Sequence, residues 1–386
     1  MDQINTSWIS INFSESSSFG NQTTKILPSW SFNSLFFLAV CVLGLICNGT
    51  TLLVFIHDAH LRSTPFNIYL MNLFTANTAS LLIQYPMAVA VNRYQSGWHL
   101  GNPACTMYLY CQTILGAGVL TLHALIAANR TWAILHPLSY RAVHSTRFAS
   151  TLCGFMWLYV HLTMGPYMYV DTFYYRLDVE QTGCDLNHSD IALALWSVTL
   201  TIVVYILPVC VVLSSFPVVV ACKALRSERK RRRSSRLGSD DLYVHKSVSH
   251  LLGQPMDRRI TAPSLIVGYN KQVRERQSDV SRKQSKDPVI ASSRAVCGCW
   301  SSKYIILALL TISVAICSAP DMLYFLLVGI IPGFWNQTYL QLATLLFSCQ
   351  TVLDPILFVL ALERLRKSLL RMINCTSQSG PLHVNV

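Results

Sequence analysis

Seven long apolar stretches, separated by polar segments, dominate the pattern of this chain. Each holds about 20 or more residues with few charges, enough to cross a hydrocarbon layer of about 30 Å as an α-helix. Helices are expected because lipid offers no partners for backbone N–H and C=O groups. The sequence therefore predicts an all-α membrane protein, a bundle of seven transmembrane helices. The stretches are Phe32–His57, Phe66–Val91, Cys105–Leu135, Ala149–Val170, Ile191–Cys222, Tyr304–Ile330 and Thr338–Leu362.

The distribution of positive charge predicts the orientation of the chain. With the N-terminus outside, the outer segments carry only Lys25, Arg93 and Arg176, and the other 27 of the 30 Lys and Arg lie inside or at the inner edge. An excess of positive charge on the inner side is typical of membrane proteins. We therefore expect a multi-pass protein of the plasma membrane with an extracellular N-terminus.

The composition argues against two other classes of protein. Of the 386 residues, 52% are hydrophobic and 12% charged, which is too apolar for an ordinary soluble domain. The net charge of +12 would suit nucleic acid, but 18 Lys and Arg lie between Arg226 and Lys303, in one inner loop. Anionic membrane lipids of the inner leaflet and cytosolic proteins are the expected partners there, and no nucleic acid is expected.

The outer segments carry candidate modification sites. The polar N-terminal segment shows no pattern of a cleaved signal peptide, so we expect the first apolar stretch to direct insertion. Asn-x-Ser/Thr patterns that would face outward predict glycosylation. They are Asn5, Asn12, Asn21, Asn187 and Asn336.

Two of the thirteen cysteines stand apart from the others. Most lie in the apolar stretches, where a small buried hydrophobic side chain is the ordinary interpretation. Cys105 and Cys184 are the two that we expect on the oxidising outer side. The sequence thus predicts a disulfide that fixes the second outer loop across the mouth of the bundle.

Short motifs occupy defined places in the apolar stretches. Prolines inside such helices bend them, and a charged side chain there is costly, so residues of both kinds are typical of functional positions. The motifs of the first four stretches are Gly44 and Asn48, the segment 72–77 (Asn-Leu-Phe-Thr-Ala-Asn), Trp98 ahead of Cys105, Asn129-Arg130-Thr131 and Trp157. The remaining ones are Pro208, Pro320 and Asp354-Pro355-Ile356-Leu357-Phe358.

In this order the motifs resemble those of the rhodopsin-like (class A) G-protein-coupled receptors, in an atypical form, over roughly residues 32–375. The resemblance implies a receptor that transmits the binding of an extracellular ligand to a heterotrimeric G protein. It implies arrestin and receptor kinases as further partners. It also implies a short amphipathic eighth helix on the membrane, with Cys375 as a candidate palmitoylation site.

Together, the pattern and the resemblance divide the chain into five segments. The basic segment is where we expect cytosolic partners and anionic lipid to bind. The segments are an extracellular glycosylated tail (1–31), transmembrane helices one to five (32–225), a basic, largely disordered third cytoplasmic loop (226–301), helices six and seven (302–362), and the amphipathic helix with a cytoplasmic tail (363–386).

The resemblance assigns the G-protein switch to the inner ends of the third and seventh helices. Arg130 is costly in lipid unless it lies at an interface or in a wet cavity, which indicates a switch or docking group; the alternative is an arginine that only marks the boundary. Asn129 replaces the family's usual acid and Thr131 its tyrosine, so we expect a weakened restraint on Arg130 and measurable basal activity. The switch residues are Asn129, Arg130, Thr131, Asp354, Pro355 and Phe358.

A second group of polar residues lies deeper in the predicted bundle. Asn77 and Asp354 resemble a reciprocal exchange that moves the acid of the family's ion site from helix two to helix seven. Sodium is a candidate modulator there, and no other cofactor and no metal site are expected. His123 lies seven residues, about two turns, before Arg130 and on nearly the same face. We expect a His123–Asp354 latch; the alternative is that each side chain finds a separate partner.

The class of ligand is narrowed by exclusion. Helix seven has no lysine for a retinal Schiff base, and Gln112 stands where amine receptors carry an acid. The outer helix halves also lack counter-charges for a nucleotide or carboxylate, apart from Arg93 and Arg176 at the rims. A peptide or a neutral or lipid-like molecule is favoured; the alternative is bundle packing without a natural ligand. The candidate pocket residues are Gln84, Tyr85, Tyr108, Gln112, Thr113, Trp196, Asp321, Tyr324, Gln341, Thr344 and Ser348.

Other classes of function remain open at this point. A receptor-like decoy or scaffold that no longer couples G protein would keep the fold and alter only the switch residues. A transporter would also use intramembrane acids and histidines, but no internal repeat is visible. The sequence contains no Gly-rich phosphate loop, H-E-x-x-H or G-x-S-x-G pattern, so we do not expect an enzyme.

Overall fold

α-Helices form most of the structure, a computed structural model that describes residues 29–94, 98–179, 183–184, 186, 191–252, 302–331 and 334–378. No strand occurs among these residues. The glycosylation sites predicted at Asn5, Asn12, Asn21 and Asn187 lie outside them.

The helices follow the predicted stretches closely. The first seven are α1 (Phe32–His57), α2 (Ala59–Arg62), α3 (Pro65–Tyr94), α4 (Gly101–Tyr110), α5 (Gly116–Leu135), α6 (Pro137–Val143) and α7 (Thr146–Val170). The rest are α8 (Ile191–Leu200), α9 (Leu207–Leu252), α10 (Ser302–Cys317), α11 (Ala319–Ile330), α12 (Gln337–Ala361) and α13 (Glu363–Gln378). The π-helical segments are Cys111–Leu115 between α4 and α5, Asp171–Tyr175 after α7, and Thr201–Ile206 between α8 and α9.

Polar caps fix where several helices begin. The side chains of Ser31, Asp58, Ser145 and Asn336 each accept a hydrogen bond from a backbone N–H of the following first turn. Such caps satisfy donors that the helix itself leaves unpaired. Asn336 uses its Oδ1 in this way, which leaves Nδ2, the atom that glycosylation modifies; its glycosylation stays a prediction.

The chain divides into two compact units, residues 1–220 with 302–386, and residues 221–301. The described part of the second unit is the C-terminal portion of α9, which is helical as far as Leu252. The sequence predicted a largely disordered loop from residue 226, whereas the described residues up to Leu252 are helical; the segment has no proline, and Glu, Lys and Arg at 228–233 favour helix. Residues 253–301 lie outside the described residues, so the nature of the rest of the loop stays a prediction.

Within the larger unit, α1 packs against α3 and α12. The buried Asn48 joins α1 to α12, because its Nδ2 donates to the carbonyl of Thr351 as well as to that of Gly44 in its own helix, both at 2.9 Å. Gly44 allows the close approach, since a Cβ there would lie 2.7 Å from the side chain of Leu81. Helices in lipid are expected to associate through small residues, which allow close packing, and through interhelical hydrogen bonds.

The outward faces of several helices are apolar. Leu35, Ile46, Phe155 and Leu162 are among the large hydrophobic side chains left exposed on α1 and α7. In the part of the chain that the structure describes, four helical spans could cross a membrane by length and composition alone, or five when the bent pair α10–α11 counts as one span. The helices α3 and α7, which were also predicted to span, are 30 and 25 residues long but do not meet that test.

Prolines mark the irregular places in the long helices. Pro320 lies just after the break between α10 and α11, which are bent by 43°. Pro208 comes directly after the π-helical segment Thr201–Ile206, and Pro355 lies inside α12. Proline lacks a backbone donor and clashes with the preceding turn, so a bend or a π-helical bulge accommodates it.

The predicted disulfide is present. Cys105 in α4 and Cys184 are bonded, with their Cα atoms 5.5 Å apart and a sequence separation of 79 residues. Nearby, the ring of Trp98 packs on Tyr108 with centroids 5.5 Å apart. Arg176 binds the buried Asp171 through Nε at 2.6 Å. We call this side of the bundle the disulfide end, and the opposite side the Arg130 end.

The last helix, α13, contacts α1 and α12. Ser368 donates a hydrogen bond of 2.7 Å to Oδ2 of Asp58, the residue that caps α2. This bond is the main reason that the pKa of Asp58 is lowered from its ordinary value. Cys375 falls within α13, but its side chain lies outside the described residues, so its palmitoylation stays a prediction.

We expect Gly118→Ala to destabilise the protein, because a Cβ at Gly118 would lie 2.7 Å from the ring of Trp157. Overpacking of this kind costs about 1–3 kcal/mol. The matched control is Gly154→Ala in α7, where nothing lies within 4 Å and alanine should be neutral or stabilising. Thermal unfolding of the purified protein measures both, and equal melting temperatures would contradict the close contact.

Replacing the disulfide should greatly reduce the amount of folded protein at the cell surface. Closing a loop of 79 residues stabilises the folded state by about 4 kcal/mol through the lost freedom of the unfolded chain. We expect Cys105→Ser and Cys184→Ser to lower surface expression to the same extent, and the double variant to be no worse. Clearly additive losses, measured by surface labelling, would mean that the two cysteines act separately.

Candidate functional site

A buried carboxylate, Asp354 of α12, gathers polar side chains from three helices. Its Oδ2 accepts a hydrogen bond of 3.0 Å from Nδ2 of Asn77 in α3. The imidazole Nε2 of His123 in α5 lies 3.0 Å and 3.1 Å from its two oxygens. His123 is fully buried and Asp354 is 1% exposed. An ionised carboxylate only accepts hydrogen bonds, so this contact is a hydrogen bond in the imidazole form that carries a proton on Nε2.

Two further residues complete this cluster, and sequence reasoning missed them. Gln350 donates from Nε2 to Oδ1 of Asp354 at 2.6 Å, and Ser313 in α10 donates to Oε1 of Gln350 at 3.1 Å. Gln350 precedes Asp354 by four residues, one helical turn, and that spacing was the available signal. Ser313 had no such signal, because its partner lies on another helix.

The donor set around Asp354 does not suit a sodium ion. Sodium requires oxygen ligands, whereas the carboxylate is occupied by N–H donors of His123, Asn77 and Gln350. The imidazole lies against both oxygens, where a cation would have to approach. Among the described residues, no group of three or more His, Cys, Asp or Glu could hold a metal ion.

A second polar cluster lies at the Arg130 end of the bundle. Nδ2 of Asn129 lies 2.9 Å from Nε2 of His144, and the hydroxyl of Tyr140 donates to Oδ1 of Asn129 at 3.2 Å. The rings of Tyr140 and His144 stack with centroids 4.4 Å apart. Burial, and then the charge of Arg130, lower the pKa of His144, which favours the neutral imidazole that accepts from Asn129.

Arg130 itself is held by an aromatic ring instead of an acid. Its guanidinium carbon lies 3.0 Å from the ring centroid of Phe66 in α3, and the side chain is 7% exposed. Its Nε has no hydrogen-bond partner, and no described acid lies within ion-pair distance. A cation–π contact of this kind is worth about 0.5–2 kcal/mol. The neighbouring Asn129 stands where the family usually has an acid, and its side chain is turned towards α6 and His144.

The other predicted switch residues lie between these two clusters and the core. Phe358 is buried and meets Phe74 edge-on, with ring centroids 6.0 Å apart. Pro355 is buried inside α12, and the hydroxyl of Thr131 is buried without a partner. Asp354 and Phe358 also line a small cavity that α10 covers. The hydroxyl that a tyrosine would place in this cavity is absent.

Several of the predicted pocket residues point into the disulfide half of the bundle. The hydroxyl of Tyr85 lies 3.3 Å from that of Thr351, and the rings of Trp196 and Tyr167 meet with centroids 5.5 Å apart. Four more are buried, of which Ser348 is bonded within its own helix, and Tyr108 and Thr344 are half-buried. The other three buried ones are Thr113, Asp321 and Tyr324, and Ser348 donates to the carbonyl of Thr344.

Three glutamines behave differently from this group. Gln341 donates to Oδ1 of Asn33 on α1 at 2.9 Å and is exposed. Gln112 is exposed within the π-helical segment Cys111–Leu115, while Gln84 is half-buried. The extra residue of a π-helical turn rotates the side chains that follow, which a period of 3.6 residues cannot reveal.

Comparison with known proteins agrees with this architecture. Residues 47–358 match the family described as "7 transmembrane receptor (rhodopsin family)". The chain belongs to this family. Its members are non-enzymatic, multi-pass membrane receptors that couple to heterotrimeric G proteins, and the family implies a bundle of seven transmembrane helices.

Individual relatives share only part of their sequence with this rhodopsin-family receptor. The human uracil nucleotide/cysteinyl leukotriene receptor is 28% identical over 131 residues, 34% of this chain and 35% of that protein. Human proteinase-activated receptor 3 is 26% identical over 174 residues, 43% and 42% of the two chains. Melanopsin of Rutilus rutilus is 28% identical over 183 residues, 46% and 36%. The chain thus spans well under two thirds of the length of these relatives.

In this receptor we expect His123 and Asp354 to be energetically coupled, because each offsets the cost of burying the other. His123→Leu and Asp354→Asn should each lower the melting temperature, and their effects should be non-additive by at least about 0.5 kcal/mol. A control cycle pairs His123→Leu with Glu363→Gln, an exposed site on α13. Additivity in both cycles would show that the 3.0 Å contact carries no coupling.

Proposed function

We propose that this receptor passes a signal from a ligand bound at the disulfide end to a heterotrimeric G protein at the Arg130 end, with measurable activity in the absence of ligand. The observation that carries the proposal is the environment of Arg130. Its guanidinium rests on Phe66 and lacks an acidic partner among the described residues. Among the described residues, the contact that restrains it is a cation–π contact, and its Nε donor has no hydrogen-bond partner.

The absence of an ion pair supports basal activity in a quantitative way. A partly exposed ion pair contributes up to about 1 kcal/mol. Losing that amount changes the ratio of inactive to active conformations several-fold, since 1.4 kcal/mol is a factor of ten. Asn129 does not compensate, because its hydrogen bonds go to His144 and Tyr140.

The His123–Asp354 contact supplies a different restraint, at mid-depth instead of at the end of the bundle. It joins α5 to α12, and Gln350 and Ser313 extend it to α10. We propose that this network is the inactive-state latch of the receptor. Opening α10 away from α12 would break the Ser313–Gln350 bond first, because that bond is the link to α10.

The remaining assignments follow the charge pattern and the family. We propose a plasma-membrane location with the N-terminus outside, and arrestin and receptor kinases as further partners. The amphipathic helix α13 would lie on the inner membrane surface, and the basic segment that begins at residue 226 would bind anionic lipid. For the ligand, the buried aromatic and polar residues of the disulfide half support a peptide or a neutral or lipid-like small molecule that enters from that end.

One observation favours a second candidate, a receptor-like scaffold that does not couple G protein. Arg130 is only 7% exposed and lies over the ring of Phe66, so it is not presented for docking in this conformation. A protein fixed in this state would keep the fold and the membrane location without signalling.

Nucleotide exchange on purified G proteins separates the two candidates. In membranes with equal receptor content, we expect basal GTPγS binding from the unmodified receptor and its loss in Arg130→Ala. Asn129→Asp should lower basal exchange several-fold, because an acid at that position restores the charged restraint on Arg130. Asn374→Asp, an exposed change on α13, is the matched control and should change nothing. No exchange with any G protein would favour the scaffold, and a rise in Asn129→Asp would contradict the restraint.

A further inference from the structure

Asp321 is a buried acid that the switch does not use. It lies in the first turn of α11, one residue after Pro320, and 7% of its surface is exposed. Among the described residues nothing donates a hydrogen bond to it or forms an ion pair with it. The other buried acids, Asp171 and Asp354, are bound by Arg176 and His123. An unpaired carboxylate in an apolar bundle is costly, so its presence calls for a function.

The neighbouring hydroxyl cannot serve as the missing donor. Tyr205 is close enough to Asp321 for an electrostatic interaction. Its single phenolic proton, however, is donated to the carbonyl of Thr113 at 2.8 Å. The proton of Tyr205 is therefore not available to Asp321.

Two more unpaired polar groups lie on the same face as Asp321. Ser318 precedes it by three residues and Tyr324 follows it by three, which places the three side chains in one row. Both are buried. The hydroxyl of Ser318 lacks a hydrogen-bond partner, and that of Tyr324 has the backbone of Asn336 nearby but outside normal hydrogen-bond geometry. Buried polar groups in proteins are nearly always hydrogen-bonded, so unsatisfied groups at this spacing require a partner.

Aromatic rings surround the outer end of this row. The ring of Tyr324 meets those of Phe334, Trp335 and Tyr339 with centroids 5.9, 6.5 and 5.4 Å apart. The hydroxyl of Tyr339 also donates to the carbonyl of Pro320 at 3.0 Å, which fixes α12 to the start of α11. Aromatic faces combined with a carboxylate attract cations, through the ring quadrupole and through charge-assisted hydrogen bonds.

The described cations of the disulfide end are already placed elsewhere. Arg93 lies over the ring of Trp30, 4.6 Å from its centroid, and Arg176 is bound to Asp171. The cation that would balance Asp321 is therefore expected from outside this part of the chain.

We propose that the face formed by Ser318, Asp321 and Tyr324 binds an ammonium or guanidinium group of the receptor's ligand. The inference rests on the proposed function, because it names the chemical class of that ligand. It narrows the ligand to a basic peptide or an amine and excludes an uncharged lipid. The acid comes from α11, so the absence of an acid at Gln112 does not exclude a cationic ligand.

The first test is the stability of the receptor without ligand. Asp321→Asn removes an unpaired buried charge and should raise the melting temperature of the purified full-length receptor by about 2 °C or more. Glu363→Gln, which neutralises an exposed acid paired with Lys367, is the control and should leave it unchanged. A lower melting temperature for Asp321→Asn would overturn the proposal, because it would mean that the carboxylate has a partner in the folded protein.

The second test uses matched cationic and neutral probes at millimolar concentration. N-acetyl-arginine methylamide is compared with its citrulline analogue, and benzylammonium with benzyl alcohol, which separates a peptide guanidinium from an amine. We expect at least one cation to raise the melting temperature by about 2–4 °C at saturation, and its neutral partner to have no such effect. Asp321→Asn should lower the affinity of the receptor for that cation about 10-fold or more, and Glu363→Gln should leave the affinity unchanged. No stabilisation by either cation, or equal effects of the neutral partners, would overturn the proposal.

These measurements are independent of signalling, because thermal unfolding requires no G protein. A receptor that binds the cations but never promotes nucleotide exchange would keep this site and disprove the coupling. A receptor that promotes exchange but binds neither cation would confirm the coupling and disprove this site.

Discussion

The cost of placing a carboxylate in the middle of an apolar bundle organises the core of this receptor. Asp354 is 1% exposed, and an isolated charge at that depth would oppose folding. Three N–H donors from α3, α5 and α12 surround it instead, and a fourth helix joins through Ser313. The arrangement of these helices is therefore not set by van der Waals packing alone. If these helices move relative to one another, Asp354 loses hydrogen bonds and needs new donors.

The charged residue at the Arg130 end is held differently from Asp354. Arg130 has an aromatic ring beneath it and lacks an acidic partner among the described residues, while Asn129 and His144 form a neutral cluster with Tyr140. The acid that pairs with a side chain of α5 thus lies at mid-depth, and the Arg130 end is held by neutral hydrogen bonds and an aromatic contact. A neutral cluster tolerates displacement better than an ion pair, because separating neutral partners leaves no bare charge in a medium of low dielectric constant.

Much of the fold and part of the site were predictable from the sequence. The bounds of α1 agree with the predicted stretch, because a run of apolar residues between polar caps leaves little choice in lipid. The contact of His123 with Asp354 was predictable from register and from the cost of burying each alone. The π-helical segments were not, since one inserted residue leaves no mark in a periodicity. The partners of Asn129 were not predictable either. They lie on α6 and just after it, and the sequence pattern does not show how the chain folds back there. The continuation of α9 past residue 226 shows that charge predicts solvation and not the end of a helix.

The contact of Gly118 with Trp157 has a mechanical consequence. The indole ring fills the space where a side chain of α5 would stand, and its Nε1 also reaches Oδ1 of Asn72 on α3 at 3.4 Å. One rigid ring therefore joins three helices at a point where no methyl group separates them. Sliding α5 along its axis would drive the backbone into that ring, so α3, α5 and α7 have to move as one body. The freedom to rearrange then belongs to the other side of the bundle, where the break at Ser318 gives α10 a pivot of its own.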